Sequence, residues 1–167
     1  MSKLLKAAVV CSVALVSSAS WSATASTTFQ VTATILSSCT VAGTALNFGS
    51  NIDPIAATVP LDSTSTLTVA CSNTTPYTVA LSAGSNAGGA TNFTSRAIKN
   101  GSSTLGYQLY TDSSRTAVWG NGTSSSSTVG GTGSGGSQSL NIYGRLPSLT
   151  GAVPGSYTDT VTVTITY

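Results

Sequence analysis

Cys39 and Cys71 are the side chains of this sequence best suited to chemistry, and that chemistry is oxidation. The third cysteine, Cys11, lies in an apolar N-terminal run, and Val10 before it is too bulky for the small residue expected ahead of a lipidated cysteine. In an exported chain an isolated pair of cysteines is expected to form a disulfide. Two thiols with no histidine do not fill a tetrahedral zinc site, so no metal is expected. The rest of the inventory is thin. The chain has no His and no Glu, and its carboxylates are four scattered residues, Asp53, Asp62, Asp112 and Asp159. Without His there is no Ser-His-Asp triad and no imidazole base. Three of the Asp lie in or beside turn-like stretches, and no motif joins any two as an acid/base pair. The glycines of residues 130–136 precede no helical pattern, so they cradle no phosphate. Neither an enzyme nor a cofactor is expected. Asn73, Asn92, Asn100 and Asn121 each begin an N-x-S/T triplet, which a chain so rich in Ser and Thr produces by chance.

The aromatic residues offer one alternative. Tyr107, Tyr110, Trp119, Tyr143 and Tyr167 could together form a sugar-binding platform. They lie within alternating stretches, however, and core packing and strand pairing are their expected role.

What remains is association through the backbone. Residues 157–167 read YTDTVTVTITY: every even position is Thr, and the odd positions are Tyr157, Asp159, Val161, Val163, Ile165 and Tyr167. This is the most regular strand pattern in the sequence, and it comes last. It carries one charge, no proline and no bulge signal, so its edge is a template for another strand. Near the other end, residues 26–36 also alternate, with Phe29, Val31, Ala33 and Ile35 on one face. An extended segment of one subunit can complete the sheet of the next, its alternate side chains filling a groove. Such contacts are heterologous and propagate as an open filament.

These stretches need a frame, and the sequence supplies short strands. At 167 residues one domain is expected. The first residues read as a secretory signal peptide: Lys3 and Lys6, then the apolar run 7–16, then the cleavage pattern Ala23-Thr24-Ala25. Cleavage is placed after Ala25, with Ala23 and Ala19 as alternatives. Once Lys3 and Lys6 are gone, Arg96, Lys99, Arg115 and Arg145 balance the four Asp. A neutral chain lacks the basic footprint that nucleic acid binding needs. It gives no electrostatic reason for a membrane surface either. Strand signals recur at 26–41, 44–49, 65–72, 76–84, on both sides of a tight turn at Asn100-Gly101, and at 115–120, 139–144 and 157–167. The Ser/Thr/Gly stretch 121–137 reads as a flexible exposed connection. Some eight short alternating strands with one disulfide indicate an all-β sandwich of immunoglobulin-like size.

The order of these pieces resembles the spore coat U domain family, the pilin subunits of archaic chaperone–usher pili. The likeness runs through CTV at 39–41, LNFG at 46–49, LTVACS at 67–72, YTVALSAG at 77–84, LGYQLYTDSSRTAVWGNG at 105–122, YGRLP at 143–147 and VPGSYTDTVTVTITY at 153–167. The resemblance implies an immunoglobulin-like sandwich lacking its last strand. It implies that residues 1–25 are the signal peptide, 26–36 the donor strand and 37–167 the pilin domain. Cys39 and Cys71 correspond to the family's paired cysteines. The terminal strand, through Tyr157, Val161, Val163, Ile165 and Tyr167, corresponds to one side of the acceptor groove. The implied partners are a periplasmic chaperone, an outer-membrane usher, and copies of itself or sister pilins. The implied product is a surface fibre for adhesion and biofilm formation. A coat protein of a resting cell, or a carbohydrate-binding adhesin module of the same fold, is the alternative.

Overall fold

The computed structural model describes residues 20–167. Residues 1–19 of the expected signal peptide, Cys11 among them, lie outside the described residues. The chain forms two units, Met1–Thr34 and Ile35–Tyr167. In the first, residues 20–34 carry no regular secondary structure and are exposed. Among the described residues, every strand lies in the second.

Nine strands follow in order: β1 (Cys39–Gly43), β2 (Leu61–Cys71), β3 (Pro76–Leu81), β4 (Ala97–Asn100), β5 (Ser103–Gly106), β6 (Gln108–Tyr110), β7 (Val129–Thr132), β8 (Ser137–Leu146) and β9 (Val163–Thr166). A 3-10 turn, Phe93–Ser95, precedes β4. One sheet has the order β1-β2-β8-β6, a second β7-β3-β9, and β4-β5 forms a hairpin. All strand pairs are antiparallel. The core follows from the period of two along each strand. Leu67, Val69 and Cys71 of β2 alternate inward towards Tyr77, Val79 and Leu81 of β3, and Leu105, Tyr107, Leu109, Ile142 and Leu146 join them. Trp119 is fully buried, and its indole Nε1 donates to the Val79 carbonyl at 3.1 Å.

Cys39 and Cys71 are joined by a disulfide at directly paired positions of β1 and β2, with Cα atoms 4.1 Å apart. The bond closes a loop across a sequence separation of 32. Reducing it is expected to lower stability by roughly 3–4 kcal/mol, because the unfolded chain regains that loop's freedom. Urea unfolding with and without reductant measures the difference.

Residues 26–38 of the strand expected at 26–41 carry no regular secondary structure, and four stretches further along also differ from the sequence expectation. Residues 44–49 form no strand. Leu46 and Phe48 still pack on the core, but the Asn47 side chain accepts the Gly49 amide at 2.8 Å and turns the chain. Residues 115–120 form no strand either, making only isolated bridges at Val118 and Trp119. The Asp112 carboxylate accepts the amides of Thr116 and Ala117, so the backbone groups that would start a ladder are already engaged. The stretch 121–137, expected to be a flexible exposed connection, contains β7, which pairs with β3. A Cβ at Gly131 would lie 2.5 Å from the Tyr77 hydroxyl, so this strand needs glycine to cross Tyr77 closely. The hairpin turn is at Gly101-Ser102, one residue beyond the expected Asn100-Gly101, because Asn100 still pairs with Ser103. Gly101 has φ +57 and takes the left-handed turn position.

Candidate strand-binding groove

A groove of about 1150 Å³ opens along one side of the sandwich. Its floor is the core: Leu67, Leu81, Leu105, Leu109 and Ile142 line it. One lip is β9 with the residues before it. The other is the end of β1 at Gly43 with Leu46 and Phe48. β9 is the last strand of its sheet and β1 the last of the other. Among the described residues, each therefore has one edge without a strand partner.

The 157–166 stretch is longer as an extended lip than as a strand. Only Val163–Thr166 pairs regularly with β3. Upstream, Ser82 and Ser85 donate their amides to the carbonyls of Thr162 and Thr160, and Lys99 and Thr158 exchange two backbone bonds. The alternation survives throughout. Tyr157, Asp159, Val161, Val163 and Ile165 are half-buried, while Thr158, Thr160, Thr162, Thr164 and Thr166 are exposed. Tyr157, Val161 and Val163 line the groove. Ile165 packs against the core beside it. Tyr167 is 56% exposed and stands outside the lining. The residues expected to be donated, Phe29, Val31, Ala33 and Ile35, are all exposed, and no strand is assigned to them.

One polar cluster sits in this apolar wall. The Tyr107 hydroxyl donates to Asp159 Oδ2 at 2.7 Å, and the Ser85 hydroxyl and Asn86 amide donate to Oδ1 at 2.8 and 3.1 Å. The carboxylate packs directly on Gly84, where a Cβ would collide with it, and the φ of +96 there is one that residues with side chains rarely adopt. In the sequence Asp159 is a lone charge on a strand. Its odd-numbered, inward position was the signal that it belongs to the groove wall. Burial, reinforced by the hydrogen bond to Asp159, pushes the Tyr107 pKa well above its ordinary 10.0. The folded state therefore holds this proton more tightly than the unfolded chain does. The stabilisation is complete below pH 10.0 and is lost as pH rises above it. Alkaline unfolding of Tyr107→Phe is expected to show a shallower fall in stability above that pH than the parent.

The other charges are structural. Arg96 is buried and donates to the carbonyls of Ser82 and Trp119 at 2.7 and 2.8 Å and to Gln108 Oε1 at 2.7 Å. Nothing in its surroundings in the sequence marked it as buried. Asp62 accepts Arg145 at 2.8 Å across β2 and β8 and lies 3.2 Å from Arg115. The hydrogen bond from Arg145 holds its carboxyl below the usual range. The aromatic residues make no common platform: Trp119 and Tyr107 are buried, and Tyr110 and Tyr143 face each other across β6 and β8.

The chain matches the Spore Coat Protein U domain over residues 25–164. It belongs to that family. A similar solved structure is the CsuC–CsuE chaperone–tip adhesion subunit pre-assembly complex from archaic chaperone–usher Csu pili of Acinetobacter baumannii. The likeness has 25% identity and a TM-score of 0.54, and covers 80% of this chain and 40% of that one. The spore coat U chain thus spans less than half the length of that relative. No curated protein matches it. The fold of this spore coat U domain is an all-β, immunoglobulin-like sandwich with antiparallel sheets.

Proposed function

We propose that this spore coat U domain is a structural subunit of a bacterial surface pilus, polymerising by strand donation. The observation that carries the reading is the apolar groove between β1 and β9, with Val161 and Val163 only half-buried along an unpaired edge. An apolar groove beside an open edge is what an added strand recognises: the backbone supplies pairing and the groove takes alternate side chains. Residues 26–36 of a second copy supply that strand, with Phe29, Val31, Ala33 and Ile35 inward. Each copy gives one strand and takes one, so the contact is heterologous and the assembly stays open-ended.

Residues 1–25 direct export and are removed. A periplasmic chaperone lends a strand to the groove in transit, and an outer-membrane usher exchanges it for the next subunit's strand. The fibre at the cell surface serves adhesion and biofilm formation. The subunit carries no enzymatic activity and needs no cofactor. The similar structure from Acinetobacter baumannii is a pilus subunit in complex with its chaperone before assembly, which supports this partner set.

A chain lacking residues 26–36 tests the reading. It is expected to stay monomeric by size-exclusion chromatography while still capping full-length copies. Continued polymerisation of the shortened chain would contradict strand donation.

A further inference from the structure

The groove wall is not uniform, and its one polar point bears on how a strand can lie in it. From residue 157 to 165 the inward positions of the lip are Tyr157, Asp159, Val161, Val163 and Ile165. Four are apolar or aromatic. The Asp159 carboxylate is held in place by Tyr107, Ser85 and Asn86. The inward face of residues 29–35 also has one exceptional member: Phe29, Val31 and Ile35 are large, and Ala33 is small.

We infer that the donated strand seats in a single register, antiparallel to the lip, with Ala33 opposite Asp159. Ile35 then faces Tyr157, Val31 faces Val161 and Phe29 faces Val163. This inference rests on the strand-donation reading and assigns the specificity of the same groove.

Two physical constraints select this register. A Val, Ile or Phe over Asp159 would strip water from the carboxylate and offer no hydrogen bond in return, which is costly for a charged group. Oδ1 is already filled by Ser85, Asn86 and the Thr160 amide, whereas Oδ2 has only Tyr107 as a donor, and the small methyl of Ala33 leaves that oxygen space for water. Directly opposed residues on neighbouring antiparallel strands project to the same face, so one pairing fixes all the others. With Ala33 at Asp159, the antiparallel direction places all four inward side chains along the lip from Tyr157 to Val163. The parallel direction instead sets Phe29 against Gly155, outside the alternation, and leaves Val163 uncovered. A slip of two residues brings Val31 or Ile35 onto the carboxylate.

Cysteine pairs in full-length copies, co-expressed and exported together, read the register directly. Opposed Cβ atoms in an antiparallel pair lie about 4.5–5.5 Å apart, close enough for a disulfide to form with small adjustment. One copy carries Val31→Cys and the other Val161→Cys. This pair is expected to cross-link at least about tenfold faster than two controls, since in the favoured register those pairs sit two and four residues further apart along the strand. The controls are Val31→Cys with Val163→Cys, which reports the slipped register, and Ile35→Cys with Val161→Cys, which reports the parallel one. Dominant cross-linking in either control would overturn the register and leave strand donation standing. Cross-linking in none of the three pairs would likewise overturn the register, and the chain lacking residues 26–36 decides strand donation separately. In the background of the favoured pair, Ala33→Leu is expected to slow cross-linking about tenfold by crowding and drying the carboxylate. An unchanged rate would refute the role given to Asp159.

Discussion

A copy carrying Val31→Asp is expected to fold like its parent and to lose about two orders of magnitude in assembly as a donor, since burying an unpaired carboxylate costs on the order of 3 kcal/mol or more. The asymmetry comes from exposure. Val31 is 82% exposed, so a carboxylate there stays in water in the free chain. In the groove it would stand against the half-buried Val161 and the leucine floor, which offer it no hydrogen bond. The acceptor groove of the same copy is untouched. The variant is therefore expected to cap growing ends, and mixtures with the parent should give shorter fibres as its share rises. Fibre lengths from electron microscopy measure this. Lengths independent of the variant's share would mean that residue 31 does not enter a groove.

Trp119→Ala is expected to have the largest effect on the domain itself, a loss of about 3–5 kcal/mol, the usual cost of removing a large aromatic side chain from a packed core. That is a large part of a small domain's whole stability. Trp119 has no exposed surface, and the Val79 carbonyl accepts its indole hydrogen. Its backbone carbonyl also accepts from the buried Arg96, so the cavity would open beside a charged group that relies on fixed neighbours. Trp119→Phe should cost less, because most of the volume stays and only the indole hydrogen bond is lost. Denaturant midpoints by circular dichroism rank the two. A near-neutral Trp119→Ala would mean that the residue is not packed as described.

Alternation made the central frame legible. β2, β3 and β8 each carry inward apolar residues two apart, and in all three the buried residues lie where the pattern puts them. Both β2 and β8 run longer than their local patterns indicate, because Asp62, Ser63 and Arg145 look like loop residues. They are strand residues: Asp62 and Arg145 pair across the outer face of the sheet, and Ser63 is half-buried and donates its hydroxyl to the Asn47 carbonyl. β7 could not be read from propensity: Val129-Gly130-Gly131-Thr132 is a strand because its glycines fit over Tyr77, a tertiary cause invisible to a local pattern. The opposite failure occurred at 44–49 and 115–120. Both have strand-like composition, but side-chain carbonyl and carboxylate groups of Asn47 and Asp112 captured the backbone amides first.

The groove was only half legible. The alternation treats Tyr157, Val161, Val163, Ile165 and Tyr167 alike, whereas in the fold the first three line the groove, Ile165 packs on the core beside it and Tyr167 is exposed outside the lining. The opposite lip, at Leu46 and Phe48, lies in the stretch 44–49, whose pattern is that of a separate short strand. The cluster around Asp159 joins residues 52, 73 and 74 positions apart in sequence, and only the fold brings them together.

The most direct test of the central claim is thermal unfolding of residues 37–167 with and without a synthetic peptide of residues 26–36. A ligand that binds only the folded state raises its stability by mass action. An incomplete sandwich is expected to melt low alone and to show a large, saturable rise in Tm with the peptide, and none with the same peptide carrying Val31→Asp. A domain that is already stable and ignores both peptides would be a complete sandwich, and strand donation would not be how it assembles.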